Sequence, residues 1–164
     1  MKPKKRVQFL EYDLTLLAQK VLSRYEFDDG TKPSLQFDDN EGKWVFIENF
    51  PLPESFEPND RINVLIVTVD YPDRPPGGIH LPATSSYRTQ VSRIRQALGG
   101  HIMSHDDLPP SYRQYVEELD DSKWTWVCYH YKNWSWDYNF NNITEGDCLY
   151  KYVQRIISEI WDRG

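Results

Sequence analysis

Ile62-Asn-Val-Leu-Ile-Val-Thr-Val-Asp-Tyr-Pro-Asp-Arg-Pro-Pro-Gly-Gly78 is the stretch that decides the fold. Its first eight residues are dense in β-branched side chains, which suit a pleated, half-buried surface, and they predict a central strand over 62–69. Three prolines and two glycines follow between Tyr71 and Gly78. Proline offers no N–H to a sheet ladder and fixes its own φ, so Tyr71-Pro-Asp-Arg-Pro-Pro-Gly-Gly78 predicts a rigid, partly extended loop that ends the strand. A short strand, Ile79-His-Leu81, is expected to follow.

Upstream, Leu35 and Phe37 alternate with polar neighbours, Asn40-Glu-Gly42 offers a turn, and Lys43-Trp-Val-Phe-Ile47 resumes, which predicts a hairpin. Before it, Leu10, Leu14, Leu17 and Val21 recur at spacings of four, three and four, the signature of an amphipathic helix over 9–24. Residues 1–8 carry the basic run Lys2-Pro-Lys-Lys-Arg6 and are expected to form a solvated tail. Downstream, Val91, Ile94 and Leu98 predict a second helix stopped by Gly99-Gly100, and 112–119 a short helical piece. Thr144, with Asp147 three residues on, predicts the N-cap of a last helix. Its broad apolar face is Leu149, Tyr152, Val153, Ile156, Ile157 and Ile160. The expected layout is a single α+β domain over 9–164, with helices against a four-stranded antiparallel meander.

The chain has 164 residues, enough for one sizeable core, and 15% of them are aromatic, so much of that core must be aromatic. A net charge of -6 argues against nucleic-acid or anionic-membrane binding, which needs basic residues gathered on one face. Two cysteines make no disulfide framework, and no apolar segment after the basic start resembles a secretory signal, so a reducing, cytoplasmic setting is expected. No apolar run approaches the roughly 20 residues of a membrane span.

Chemistry concentrates in Trp124-Thr-Trp-Val-Cys-Tyr-His-Tyr-Lys-Asn-Trp134-Ser-Trp136. A thiolate is a strong nucleophile once a neighbouring donor or cation lowers its pKa, and His130 follows Cys128 by two residues. In an extended strand such residues face the same side with Cβ atoms about 7 Å apart, close enough for the imidazole to approach the sulfur. The alternative is a half-buried strand in which Cys128 fills space and His130 makes a structural hydrogen bond. Cys148 is a rival thiol near a helix N-terminus, but its spacing to Tyr152 and Ile156 favours burial. Asp137, Glu145 and Asp147 are carboxylates that could take a proton from an attacking amine. His101 and His105 have helical ligand spacing without a third ligand, so no metal site is expected.

A leading helix, a meander closing on Tyr71-Pro-Asp-Arg-Pro-Pro76, and a cysteine before a C-terminal helix together resemble a ubiquitin-conjugating (E2, UBC-fold) domain. The closer resemblance is to bacterial E2-like proteins encoded beside ubiquitin-like proteins, E1-like activating enzymes and JAB-type peptidases. One such family carries a W-x-x-W-S-x-H element before a W-x-x-G-x-D-D-L helix start. Here Trp124-Thr-Trp-Val-Cys-Tyr-His130 precedes Trp134 or Trp136 and Gly146-Asp-Cys-Leu149, with Cys128 at the serine position.

The resemblance implies that Cys128 accepts a ubiquitin-like C-terminus as a thioester from an E1-like enzyme and passes it to a target, without a cofactor, in a bacterial antiphage-defence pathway. It implies that Tyr71, Pro72, Pro75, Pro76, Trp134 and Trp136 shape the active-site loop, and that Lys20 and Arg24 lie on the E1-docking side. Acyl transfer passes through an oxyanion, where each well-placed donor contributes on the order of 3 kcal/mol. His130, Asn133 and backbone amides are the available donors, because no HPN motif precedes Cys128. That departure keeps open a non-catalytic E2-like module that binds a ubiquitin-like protein or its E1. A Cys-His hydrolase is a third reading, lacking an evident orienting residue.

Overall fold

β3 (Arg61–Val67) lies at the centre of a five-stranded antiparallel sheet ordered β1-β2-β3-β4-β5. The computed structural model describes residues 1–99, 110–119, 122–129 and 131–163. β1 (Ser34–Phe37) and β2 (Trp44–Pro51) form the expected hairpin, and β4 (Gly78–Pro82) follows the proline-rich loop. The sheet has one strand more than the expected four. The aromatic cysteine segment is itself β5 (Trp124–Cys128), paired with β4 from Pro82 opposite Trp124 to Gly78 opposite Cys128.

Period-two alternation splits the strands between two apolar layers. Ile62, Val64 and Ile66 of β3, Ile79 and Leu81 of β4, and Val127 of β5 face the main core. That core is completed by α1 (Pro3–Lys20), α2 (Arg88–Ala97) and α4 (Leu149–Arg163). On the other face, α3 (Pro110–Glu118) covers Val67 with Tyr112 and Val116, against which Trp126 packs. The result is an α+β fold. Leu149, Tyr152, Val153, Ile156, Ile157 and Ile160 are all buried, and each apolar side chain so removed from water contributes about 1.5–3 kcal/mol. Among the described residues, no helix is long and apolar enough to cross a membrane.

Two boundaries differ from expectation for identifiable reasons. Residues 3–8 are the opening turns of α1 and not a tail: Pro3 occupies the first turn, where its missing N–H costs nothing, and Val7 is buried. Arg6 crosses to the sheet side, donating to the carbonyl oxygens of Tyr71 (3.2 Å) and Glu41 (3.0 Å). At the other end, α4 begins at Leu149 and not at Thr144, whose hydroxyl bonds Asn142 Oδ1 at 2.8 Å within a separate 3₁₀ turn. The cap comes from α1. Asp13, with no exposed surface, accepts from the backbone N–H of Leu149 (2.8 Å) and Tyr150 (2.9 Å) and from the Tyr71 hydroxyl. A carboxylate on two orphan N–H groups replaces the hydroxyl cap that local sequence suggests.

Candidate functional site at Cys128

Cys128 ends β5, partly exposed, directly opposite Gly78. That pairing requires glycine. Gly78 has φ +135, and a Cβ there would lie 2.3 Å from the Val127 carbonyl oxygen and 3.1 Å from Cys128 Cα. The Pro-Pro-Gly-Gly loop therefore ends against the backbone that carries the thiol. Pro75 is half-buried and Pro76 buried, so the loop is held from within.

Two buried phenols are close enough to the thiol to interact with it electrostatically, Tyr112 from α3 and Tyr152 from α4. Burial raises both above the usual tyrosine range, and proximity to Cys128 adds to the rise in each. Each therefore stays a neutral hydroxyl at any physiological pH, adding no negative charge beside the sulfur.

Beyond Cys128 the chain folds into an aromatic cluster. Trp136 donates its indole N–H to the Pro72 carbonyl oxygen at 2.8 Å and packs edge-on to Tyr71 and Tyr131, with ring centroids 6.2 and 5.6 Å apart. Tyr129 packs edge-on to Tyr152 at 5.6 Å, turned to the main core as a strand residue next to Cys128 should be. Of the expected loop residues, the fold thus joins Tyr71, Pro72 and Trp136. Asn133 and Trp134 fall in the 3₁₀ turn Tyr131–Trp134, their side chains outside the description, and His130 lies outside the described residues. His101 and His105 lie outside them too.

Asp147 fastens this segment to the start of α4. It accepts from Lys132 Nζ (2.9 Å), the Tyr131 hydroxyl (3.1 Å) and the Asp137 N–H (2.8 Å), and its own N–H donates to the Asp137 carbonyl oxygen at 2.8 Å. Burial pushes its carboxyl up, but the Lys132 ammonium and the hydrogen bonds outweigh that and hold it below the usual range. Its oxygens are committed to structure rather than proton transfer. Gly146 makes the close approach possible, since a Cβ there would meet the Asp137 carbonyl oxygen at 2.5 Å.

The other thiol is sealed. Cys148 has no exposed surface, and burial pushes it up to about 12, so it stays protonated despite its place beside a helix N-terminus. Iodoacetamide at neutral pH is therefore expected to label Cys128 in the native chain and Cys148 only after unfolding. Peptide mapping of the alkylated protein checks this, and native labelling of Cys148 would contradict it.

Lys20 and Arg24 are exposed near the end of α1, with Lys20 Nζ 6.0 Å from the Tyr150 ring centroid and Arg24 closing a 3₁₀ turn. None of their described contacts reaches the Cys128 cluster. The residue that sequence reasoning missed is Asp13; its one local signal is a carboxylate set between Leu10 and Leu14 on the apolar stripe. Among the described residues, no group of three or more His, Cys, Asp or Glu is placed to hold a metal. No family model matches the chain, and no curated protein or solved structure resembles it significantly.

Proposed function

We propose that the chain is an E2-like conjugating enzyme of UBC type that carries a ubiquitin-like protein as a Cys128 thioester, within a bacterial antiphage-defence pathway. The observation that carries the reading is the contrast between the two thiols. Cys128 is partly exposed at the end of β5, beside the Tyr-Pro and Pro-Pro-Gly-Gly loop, whereas Cys148 is buried and protonated. In the first step the Cys128 thiolate attacks the thioester carbonyl of the loaded E1-like enzyme, whose own thiolate leaves. In the second a target amine attacks the Cys128 thioester, an amide forms, and the Cys128 thiolate departs while the amine loses a proton. The rigid loop and the Trp136–Pro72 hydrogen bond support this reading because an acyl carrier needs its sulfur held at a fixed position.

The test combines the chain with a ubiquitin-like protein, an E1-like enzyme and ATP, followed by non-reducing electrophoresis. The wild type should form an adduct that thiol reductant removes, and Cys128→Ser should form only a reductant-stable oxyester or none. A reductant-sensitive adduct that persists in Cys128→Ser would sink the proposal. A wild type that binds the ubiquitin-like protein without ever forming an adduct would identify the non-catalytic module instead.

A further inference from the structure

Away from Cys128, α2 and the turn after β4 enclose an open cleft of about 240 Å³. Its polar lining is unusual for a chain of net charge -6: Arg88, Ser92 and Arg95 from α2, Thr84 from the turn, and Thr125 from β5. Pro82, Ala83 and Val91 form the apolar remainder.

Helical spacing explains the convergence. Positions 88, 92 and 95 fall on one face of α2, and at 1.5 Å per residue the two arginine Cα atoms stand about 10 Å apart, within combined side-chain reach of a single bound group. Arg95 is oriented across the cleft by its contact with β5, where its guanidinium donates to the Trp126 carbonyl oxygen at 3.4 Å. Among the described residues, neither guanidinium is in an ion pair with a carboxylate. Two like charges on one helix face repel each other, and an anion between them would turn that cost into attraction. Guanidinium forks and hydroxyls offer more donors, from more directions, than one planar carboxylate can accept, and they match the oxygens of phosphoryl groups.

We propose that this cleft is a binding site for a phosphate-bearing small ligand, with Arg88 and Arg95 gripping its phosphoryl oxygens and Thr84, Ser92 and Thr125 as hydroxyl partners. It shares no side chain with the Cys128 site and does not depend on the function proposed there. The two arginines, two helical turns apart, suit a diphosphate better than a single phosphate.

The test is a titration of the full chain, followed by amide NMR, with pyrophosphate, inorganic phosphate and acetate at constant ionic strength. Pyrophosphate should shift Thr84, Ser92 and Thr125 saturably and bind more tightly than phosphate, with acetate weakest. Arg88→Gln and Arg95→Gln should each weaken pyrophosphate by about tenfold, the scale of one lost charge-assisted contact. Both side chains are exposed, so the variants should fold as the parent does. The proposal is overturned if pyrophosphate causes no saturable shift, if the double variant binds it as well as the parent, or if acetate binds equally tightly.

Discussion

Asp13→Ala is expected to destabilise the protein by about 3–5 kcal/mol, because it leaves three buried donors unsatisfied at about 1–3 kcal/mol each with partial relaxation. Those donors are the Leu149 and Tyr150 N–H groups and the Tyr71 hydroxyl. Asp13→Asn should fall between wild type and alanine, since one carbonyl oxygen can replace only one of the two carboxylate oxygens. The pH dependence has a definite sign. Burial raises the Asp13 carboxyl above 3.8, and the hydrogen bonds from Tyr71, Leu149 and Tyr150 offset this only in part. A raised folded value means that its contribution is full below 3.8 and is lost as pH climbs through the raised value. The deficit of the non-titrating Asp13→Asn should therefore shrink over that interval. Asp147 runs the other way: held below 3.8, it stabilises above that value and loses its contribution as pH falls through the lowered one. Urea unfolding across pH measures both, and an alanine variant with an unchanged midpoint would refute the capping role.

What was readable from the chain follows the range of the interactions involved. β3 is legible because its β-branched run is a local signal, and α4 because its apolar face repeats within one helix. The burial of Cys148 could be read from the same helical spacing. The cap on α4 could not, since Asp13 and Leu149 are 136 residues apart and no local pattern reports such a pairing. A nearby Thr144 offers the usual local solution and is misleading for that reason. The opening turns of α1 were obscured by charge: lysines dominate the first residues, and the buried Val7 is too isolated there to announce a helix. For the cysteine segment, strand character was legible from its alternation, but its pairing with β4 was not, because α2 and α3 lie between them in the chain. The placement of Cys128 against Gly78 thus emerges only from tertiary structure.

That placement makes Gly78→Ala the most informative backbone substitution. A Cβ 2.3 Å from the Val127 carbonyl oxygen meets main chain, which cannot turn aside as a flexible side chain would. Relief requires β5 to move off β4, breaking ladder hydrogen bonds that run from Pro82 opposite Trp124 to Gly78 opposite Cys128. The positive φ adds a second cost, since L side chains rarely adopt +135. Together these predict a loss of about 3 kcal/mol or more, in the range of steric insertion into a packed interior plus backbone strain. Gly30→Ala is the natural control: its φ is also positive, at +84, but nothing lies within 4 Å of the added carbon. It should cost only about 1 kcal/mol, the conformational part alone. The difference between the two variants isolates the steric contribution of the β4–β5 contact. Displacement of β5 also predicts a changed rate of Cys128 alkylation in Gly78→Ala and none in Gly30→Ala, because only the former disturbs the backbone that holds the sulfur. Equal stability losses in the two variants, together with equal alkylation rates, would show that the close approach of Gly78 to Val127 does not set the position of Cys128.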